Sequence, residues 1–136
     1  MTPWKELSLA APFPRLSLGL IFLVAGIHKA LAGFEATAGW MTKAFEGTFL
    51  PEIAVQIFAY GLIPLEILVG VMLLLGLWRK GFLLTAACLL MLLIVGKLIL
   101  ADHAVVFQNT FYLFLAALGL AVLPFDPCGI DAMRQS

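Results

Sequence analysis

Long apolar segments separated by short polar ones make up most of the chain, and each is long enough to cross a bilayer. A hydrocarbon core about 30 Å thick requires roughly 20 apolar residues in a helix. Four segments meet this requirement, at about 16–34, 53–78, 81–101 and 105–124. The pattern therefore predicts an all-α fold, an integral membrane four-helix bundle. We expect a single transmembrane domain over residues 1–136, with a cytoplasmic tail at 125–136.

The connection after the first span is the longest one, and it carries an amphipathic stretch. Within residues 35–52 one helical face collects apolar side chains, namely Trp40, Met41, Ala44 and Phe45. This arrangement is typical of a short helix that lies in the membrane interface. We therefore expect an interfacial helix in this loop, on the side of the membrane opposite the termini.

The composition agrees with a membrane protein and excludes several other classes. Hydrophobic residues make up 63% and charged residues 12% of the chain, and the mean hydropathy is +1.09. These values exclude a water-soluble globule. Eight Lys and Arg residues balance eight Asp and Glu residues, which argues against nucleic acid as a partner. Cys88 and Cys128 form no CxxC motif, and the chain shows no haem, flavin or metal motif.

Basic residues predict the orientation of the bundle. Arg15, Arg79 and Lys80 lie at span ends on the side of the termini, whereas only Lys43 lies clear of the spans on the other side. Because basic residues are enriched in cytoplasmic segments, both termini are expected in the cytoplasm. We predict a multi-pass protein of the cell (inner) membrane of a bacterium or an archaeon.

Two charged residues are predicted to lie inside the bilayer at the same depth. At 1.5 Å per residue, Lys29 lies roughly 21 Å above Arg15, and Glu66 lies about 20 Å above Arg79. A charge inside a membrane costs at least a few kcal/mol, so both side chains should face the bundle interior and pair. Pro64 should kink the second span just before Glu66 and open room for a cavity.

Other polar residues at this level are candidates for binding a ligand: His28, Lys97, Gln108 and Tyr112. His28 or Tyr112 would donate a hydrogen bond to a carbonyl oxygen. The alternative for the whole set is structural. A Lys–Glu pair can fix helix register, outer lysines can extend to the headgroups, and aromatic residues can form an interfacial belt. The histidines are more typical of hydrogen-bonded polar residues than of haem ligands, and no metal site is predicted.

Three motifs carry a family resemblance: Arg15-Leu-Ser-Leu-Gly19, Gly26-Ile-His-Lys29, and the block that runs from Pro64-Leu-Glu66 through Gly70 and Gly76 to Arg79. Over roughly residues 15–100 the chain resembles the DoxX family of small four-helix membrane proteins. The resemblance implies a link to redox chemistry, because DoxX-like and DoxD-like proteins include the membrane subunit of a thiosulfate:quinone oxidoreductase. It transfers no catalytic role to the matching residues.

Two functions from different classes remain open. In the first, the chain is the membrane subunit of a quinone-linked redox complex, in which Glu66 carries protons and Lys29 is its partner. It would then act as an oxidoreductase only together with a partner that holds the redox centre. In the alternative, it is a non-catalytic accessory subunit that scaffolds or assembles a larger membrane complex. A small transporter ranks third, because no broken-helix repeat is evident. The expected partners are the lipid bilayer and other membrane-complex subunits.

Overall fold

The computed structural model describes residues 3–135, and these residues form helices and connecting loops without a strand. The elements are α1 (Pro3–Ala10), α2 (Pro12–Ala32), α3 (Phe34–Ala44), α4 (Glu52–Leu75), α5 (Arg79–Ile99), α6 (His103–Ala121), a 3₁₀ turn (Leu123–Phe125) and α7 (Ile130–Gln135). The predicted all-α fold is confirmed.

Four helical segments within the described residues are long and apolar enough to cross a membrane. They are Lys5–Ala32, which joins α1 to α2, and the helices α4, α5 and α6. The helices α2, α4, α5 and α6 begin and end within about four residues of the predicted spans, whereas the first candidate span begins at Lys5 rather than near residue 16, because it includes most of α1. Gly76 has a φ of +72° and ends α4 at Leu75, since glycine adopts this conformation without steric cost. The Asp102 side chain accepts a hydrogen bond from the Val105 backbone nitrogen and so fixes the beginning of α6.

Glycines bring α2 and α4 into close contact along their length. A Cβ atom added to Gly70 would lie 2.5 Å from the Leu23 backbone nitrogen, and one added to Gly19 would lie 3.1 Å from the Gly70 carbonyl oxygen. Small residues at a helix interface allow backbones to approach in this way. Gly19 and Gly70 therefore serve the packing of α2 against α4.

The four spans are not packed equally tightly. α2 packs extensively against α4 and also contacts α6, and α5 packs against α6, whereas α4 and α5 contact each other much less. The core on the side of the termini is dense, with Leu18, Val69, Leu73 and Leu83 fully buried. We call the two ends of the bundle the terminal end, where α1 and the segment after α6 lie, and the α3 end.

The interfacial helix predicted in the first loop corresponds to α3, which packs on α4 and α2 at the α3 end. Its buried residues are Thr37, Ala38 and Met41. Trp40, which was predicted on the same face as Met41, is instead 61% exposed. Met41 is buried and Ala44 and Phe45 are half-buried, so most of the predicted face packs towards the bundle while Trp40 stays at its edge.

The segment predicted as a cytoplasmic tail folds back onto the terminal end of the bundle. Asp126 is buried between Arg15 and Arg79, and Arg15 is only 1% exposed. Arg15 Nε donates to Asp126 Oδ2 at 2.8 Å, and Arg79 Nη1 donates to the Asp126 carbonyl oxygen at 2.8 Å. Arg15 Nη1 also donates to the Leu73 carbonyl oxygen. This Arg–Asp–Arg cluster ties the tail to three spans.

Two glycines complete the contact between the tail and α4. A Cβ atom added to Gly76 would lie 2.5 Å from Gly129 Cα, and the Asp131 backbone nitrogen donates to the Gly76 carbonyl oxygen at 3.0 Å. Gly129 has a φ of +105°. The tail can reach α4 only because both positions lack a side chain.

Candidate functional site

The predicted pairing of Lys29 with Glu66 is confirmed. Lys29 Nζ donates to both carboxylate oxygens of Glu66, at 2.8 Å and 2.9 Å. The Glu66 side chain is 3% exposed and the Lys29 side chain 31%. Gly26 makes the short span-to-span distance possible, since a Cβ there would lie 2.7 Å from Ile67 Cγ1. The two-point hydrogen bond compensates the buried carboxylate, as an intramembrane charge requires.

This ion pair borders a cavity of about 420 Å³ in the half of the bundle near the α3 end. Residues from α2, α3, α4, α5 and α6 line it, and we call it the polar cavity. Its polar or charged lining residues are Lys29, Thr37, Trp40, Glu66, Lys97, Asn109 and Tyr112. The volume lies within the range of sites that bind small organic molecules.

Asn109 is the residue of this cavity that most clearly lacks a partner. It is 8% exposed, and among the described residues its side-chain amide makes no hydrogen bond. Its amide atoms are not enclosed by protein, so the two donors and the acceptor of the amide face the open space of the cavity. The amide is therefore available to a polar group in the cavity. Asn109 was not among the site residues predicted from the sequence, although Asn109 lies one helical turn from Tyr112 on α6.

Lys97 and Tyr112 also line the polar cavity. Both had been predicted at nearly the same depth in the bilayer as Lys29 and Glu66. Lys97 Nζ lies 3.7 Å from Asp102 Oδ2 and 5.1 Å from the centroid of the Trp40 ring, a distance at which a cation and an aromatic ring attract each other. The Tyr112 hydroxyl accepts a hydrogen bond from Gln108 Nε2 at 2.8 Å.

The other two predicted residues lie outside this lining. Gln108 is exposed and reaches the site only through its hydrogen bond to Tyr112. His28 is exposed and does not line the polar cavity, so the structure does not bring it together with Lys29 and Glu66 as a group facing one ligand. Among the described residues, no group of three or more His, Cys, Asp or Glu side chains could hold a metal ion.

The lining favours a particular kind of ligand. Lysine, asparagine and tyrosine all present hydrogen-bond donors, so the polar cavity suits a molecule with several acceptor oxygens. Each lysine already has a carboxylate partner, Glu66 for Lys29 and Asp102 for Lys97. The net charge of these four groups is zero, which favours a neutral polar group over an anion.

A family model for the methylamine utilisation protein MauE matches residues 7–104. The match includes Lys29, Glu66 and Lys97, and ends before Asn109 and Tyr112. No curated protein and no solved structure matches the chain. The family shown is thus not DoxX, which the sequence motifs resemble, but one of a similar kind of small multi-helix membrane protein. Because the match covers most of the chain, the protein belongs to the MauE family of methylamine utilisation proteins.

Proposed function

We propose that the protein is a membrane accessory subunit of a redox system and that its polar cavity binds the head group of a quinone. Membership of the MauE family supports the accessory role in a redox system. The observation that supports a bound ligand is the amide of Asn109, which has no hydrogen-bond partner and lies in the same cavity as the Lys29–Glu66 pair. The DoxX resemblance adds support for a quinone link.

The chemistry of a quinone fits these groups. Its two carbonyl oxygens accept hydrogen bonds, which Asn109, Lys97 and the Tyr112 hydroxyl are placed to donate. Reduction to the quinol consumes two electrons and two protons, and both protons end on the former carbonyl oxygens. A partner subunit would supply the two electrons and water the two protons, which Glu66, held by Lys29, would take up and pass to the ligand. The oxidised partner and the quinol are the products.

The test replaces the proton carrier without changing its shape. Glu66→Gln should abolish quinone-linked electron transfer in membranes while the protein still accumulates and assembles. Glu52→Gln is the matched control, because Glu52 is an exposed carboxylate at the start of the same helix. Full electron transfer in Glu66→Gln would show that the proton role is wrong.

A second candidate is a purely scaffolding subunit, and the surface of α6 favours it. Phe107, Phe111, Phe114 and Leu118 recur at helical spacing and are all exposed. Such a stripe suits docking against another membrane helix as well as lipid. In that case Phe111→Ala should weaken association with the partner complex, whereas Glu66→Gln should leave electron transfer intact.

A further inference from the structure

An apolar groove lies in the seam between α4 and α5, in the half of the bundle near the α3 end. Its volume is about 270 Å³. We call it the seam groove, and its walls include Phe45, Leu50, Val55, Phe58, Leu92 and Gly96. α4 and α5 contact each other much less than α2 and α4 do. Over the α5 segment that lines it, residues 92–100, the groove is about 12 Å long.

The seam groove and the polar cavity are neighbours that share a wall. Trp40, Met41, Leu93 and Lys97 line both of them. The seam groove is lined almost entirely by hydrocarbon side chains, whereas the adjoining polar cavity carries Lys29 and Glu66, so an apolar stretch and a polar one lie side by side. This arrangement matches a molecule with an apolar tail and a polar head.

The polar cavity is covered above and below. At the α3 end it is covered by α3, whose Thr37 and Met41 are buried against the bundle. Towards the terminal end it meets the packed side chains of Phe22 and Leu90, each nearly fully buried. A lateral path through the seam avoids both of these barriers.

Gly96 keeps the seam groove open. A Cβ atom added there would meet only the tip of the Phe45 ring, at 3.4 Å. A larger side chain at this position would therefore fill the groove without striking backbone. Ala54 lies on the opposite wall, on α4, and is exposed.

We infer that the seam groove holds the hydrocarbon tail of the quinone whose head lies in the polar cavity, and that the ligand enters sideways from the bilayer between α4 and α5. The inference rests on the proposed function. A phospholipid chain fits the groove less well as the physiological occupant, because a phosphate head would need an unpaired cation. Lys29 and Lys97 are both paired with carboxylates, and a neutral head avoids breaking these pairs.

The test uses the full chain in lipid nanodiscs and a quinone with a photoreactive diazirine on the first unit of its tail. After irradiation, peptide mass spectrometry locates the label. We expect label on the seam-groove segments of α4 and α5, competed by excess unlabelled tailed quinone. Gly96→Phe should reduce this label to the level on the outer surface of α6. Gly61→Phe is the matched control, since a Cβ at Gly61 meets nothing within 4 Å, and it should keep the label.

Each outcome has a defined meaning. If Gly96→Phe does not fold, Ala54→Phe blocks the groove from its other wall and should give the same loss. Label spread evenly over lipid-facing surfaces, with Asn109-dependent quinone binding retained, would overturn the tail site and leave the proposed function standing. Equal competition by a phospholipid or by a ringless isoprenoid alcohol would also overturn it, because the groove would then hold any chain. If the unmodified protein does not bind quinone at all, both the tail site and the proposed function are wrong.

Discussion

Replacing Lys29 by methionine is expected to destabilise the bundle more than replacing Glu66 by glutamine, although both changes break the same ion pair. The reason is the unequal burial of the partners, 31% exposed for the lysine side chain and 3% for the carboxylate. Lys29→Met leaves a buried carboxylate without a counter-charge. Removing one partner of a buried pair in this way costs about 3–5 kcal/mol.

The opposite change leaves a less demanding group behind. In Glu66→Gln the new amide still accepts one hydrogen bond, and the partly exposed ammonium of Lys29 can extend towards the headgroups. The expected loss is about 1 kcal/mol. The double variant Lys29→Met/Glu66→Gln buries no charge, so it should be more stable than Lys29→Met alone.

The measurement is a denaturant titration in mixed micelles, followed by circular dichroism, for the three variants and the Glu52→Gln control. The control should unfold with the unmodified protein. Equal losses for the two single changes, or a double variant whose loss equals their sum, would refute the reasoning, because the cost would then not arise from an unpaired buried charge.

Three further predictions concern packing, the tail and the polar cavity. Gly70→Ala should destabilise the bundle by about 1–3 kcal/mol, since its Cβ would strike backbone, whereas Gly61→Ala should be neutral or slightly stabilising; thermal unfolding in detergent compares the two. Asp126→Asn should leave the buried Arg15 without a counter-charge, whereas Arg79 keeps Asp131 at 3.8 Å, and it should cost about 3 kcal/mol. Protease cleavage of the tail is the readout, and a tail that stays uncleaved would contradict the prediction. Asn109→Leu should change thermal stability little, because the amide makes no hydrogen bond within the described residues, yet it should weaken quinone binding; unchanged binding would exclude a contact with the ligand.

Apolar segment length and the cost of buried charge were sufficient to predict the spans and the central ion pair. Four apolar segments of this length can only be membrane-spanning helices. A lysine and a glutamate at the same depth inside the bilayer are expected to pair, because an unpaired charge there is costly. The direction in which each side chain points around its helix axis was not predictable in the same way. Adjacent residues on a helix point about 100° apart, so His28 shares the level of Lys29 but lies outside the cavity lining.

The contacts of the tail were harder still to foresee. Asp126 follows the last span in a polar segment with Pro and Gly, which resembles a solvated extension. Its partner Arg15 lies 111 positions away, and only the assembled bundle brings them together. Arg15 itself was interpreted as an interfacial anchor, because basic residues at span ends usually are. Asn109 was not predicted as a site residue for a related reason. Only the surrounding helices show that the residue is buried and that its amide has no partner.

The same long separation imposes an order on biosynthesis. Arg15 enters the membrane region with the first span, whereas Asp126 leaves the ribosome only after the fourth. Until then Arg15 must stay in contact with water or lipid headgroups, since entering the interior without its partner would cost several kcal/mol. The terminal end can therefore close only after all four spans have been inserted with both ends of the chain on one side. Closure of the Arg–Asp–Arg cluster thus reports correct topology, and a chain inserted with one span missing would display an unsatisfied arginine to the quality-control proteases of the membrane.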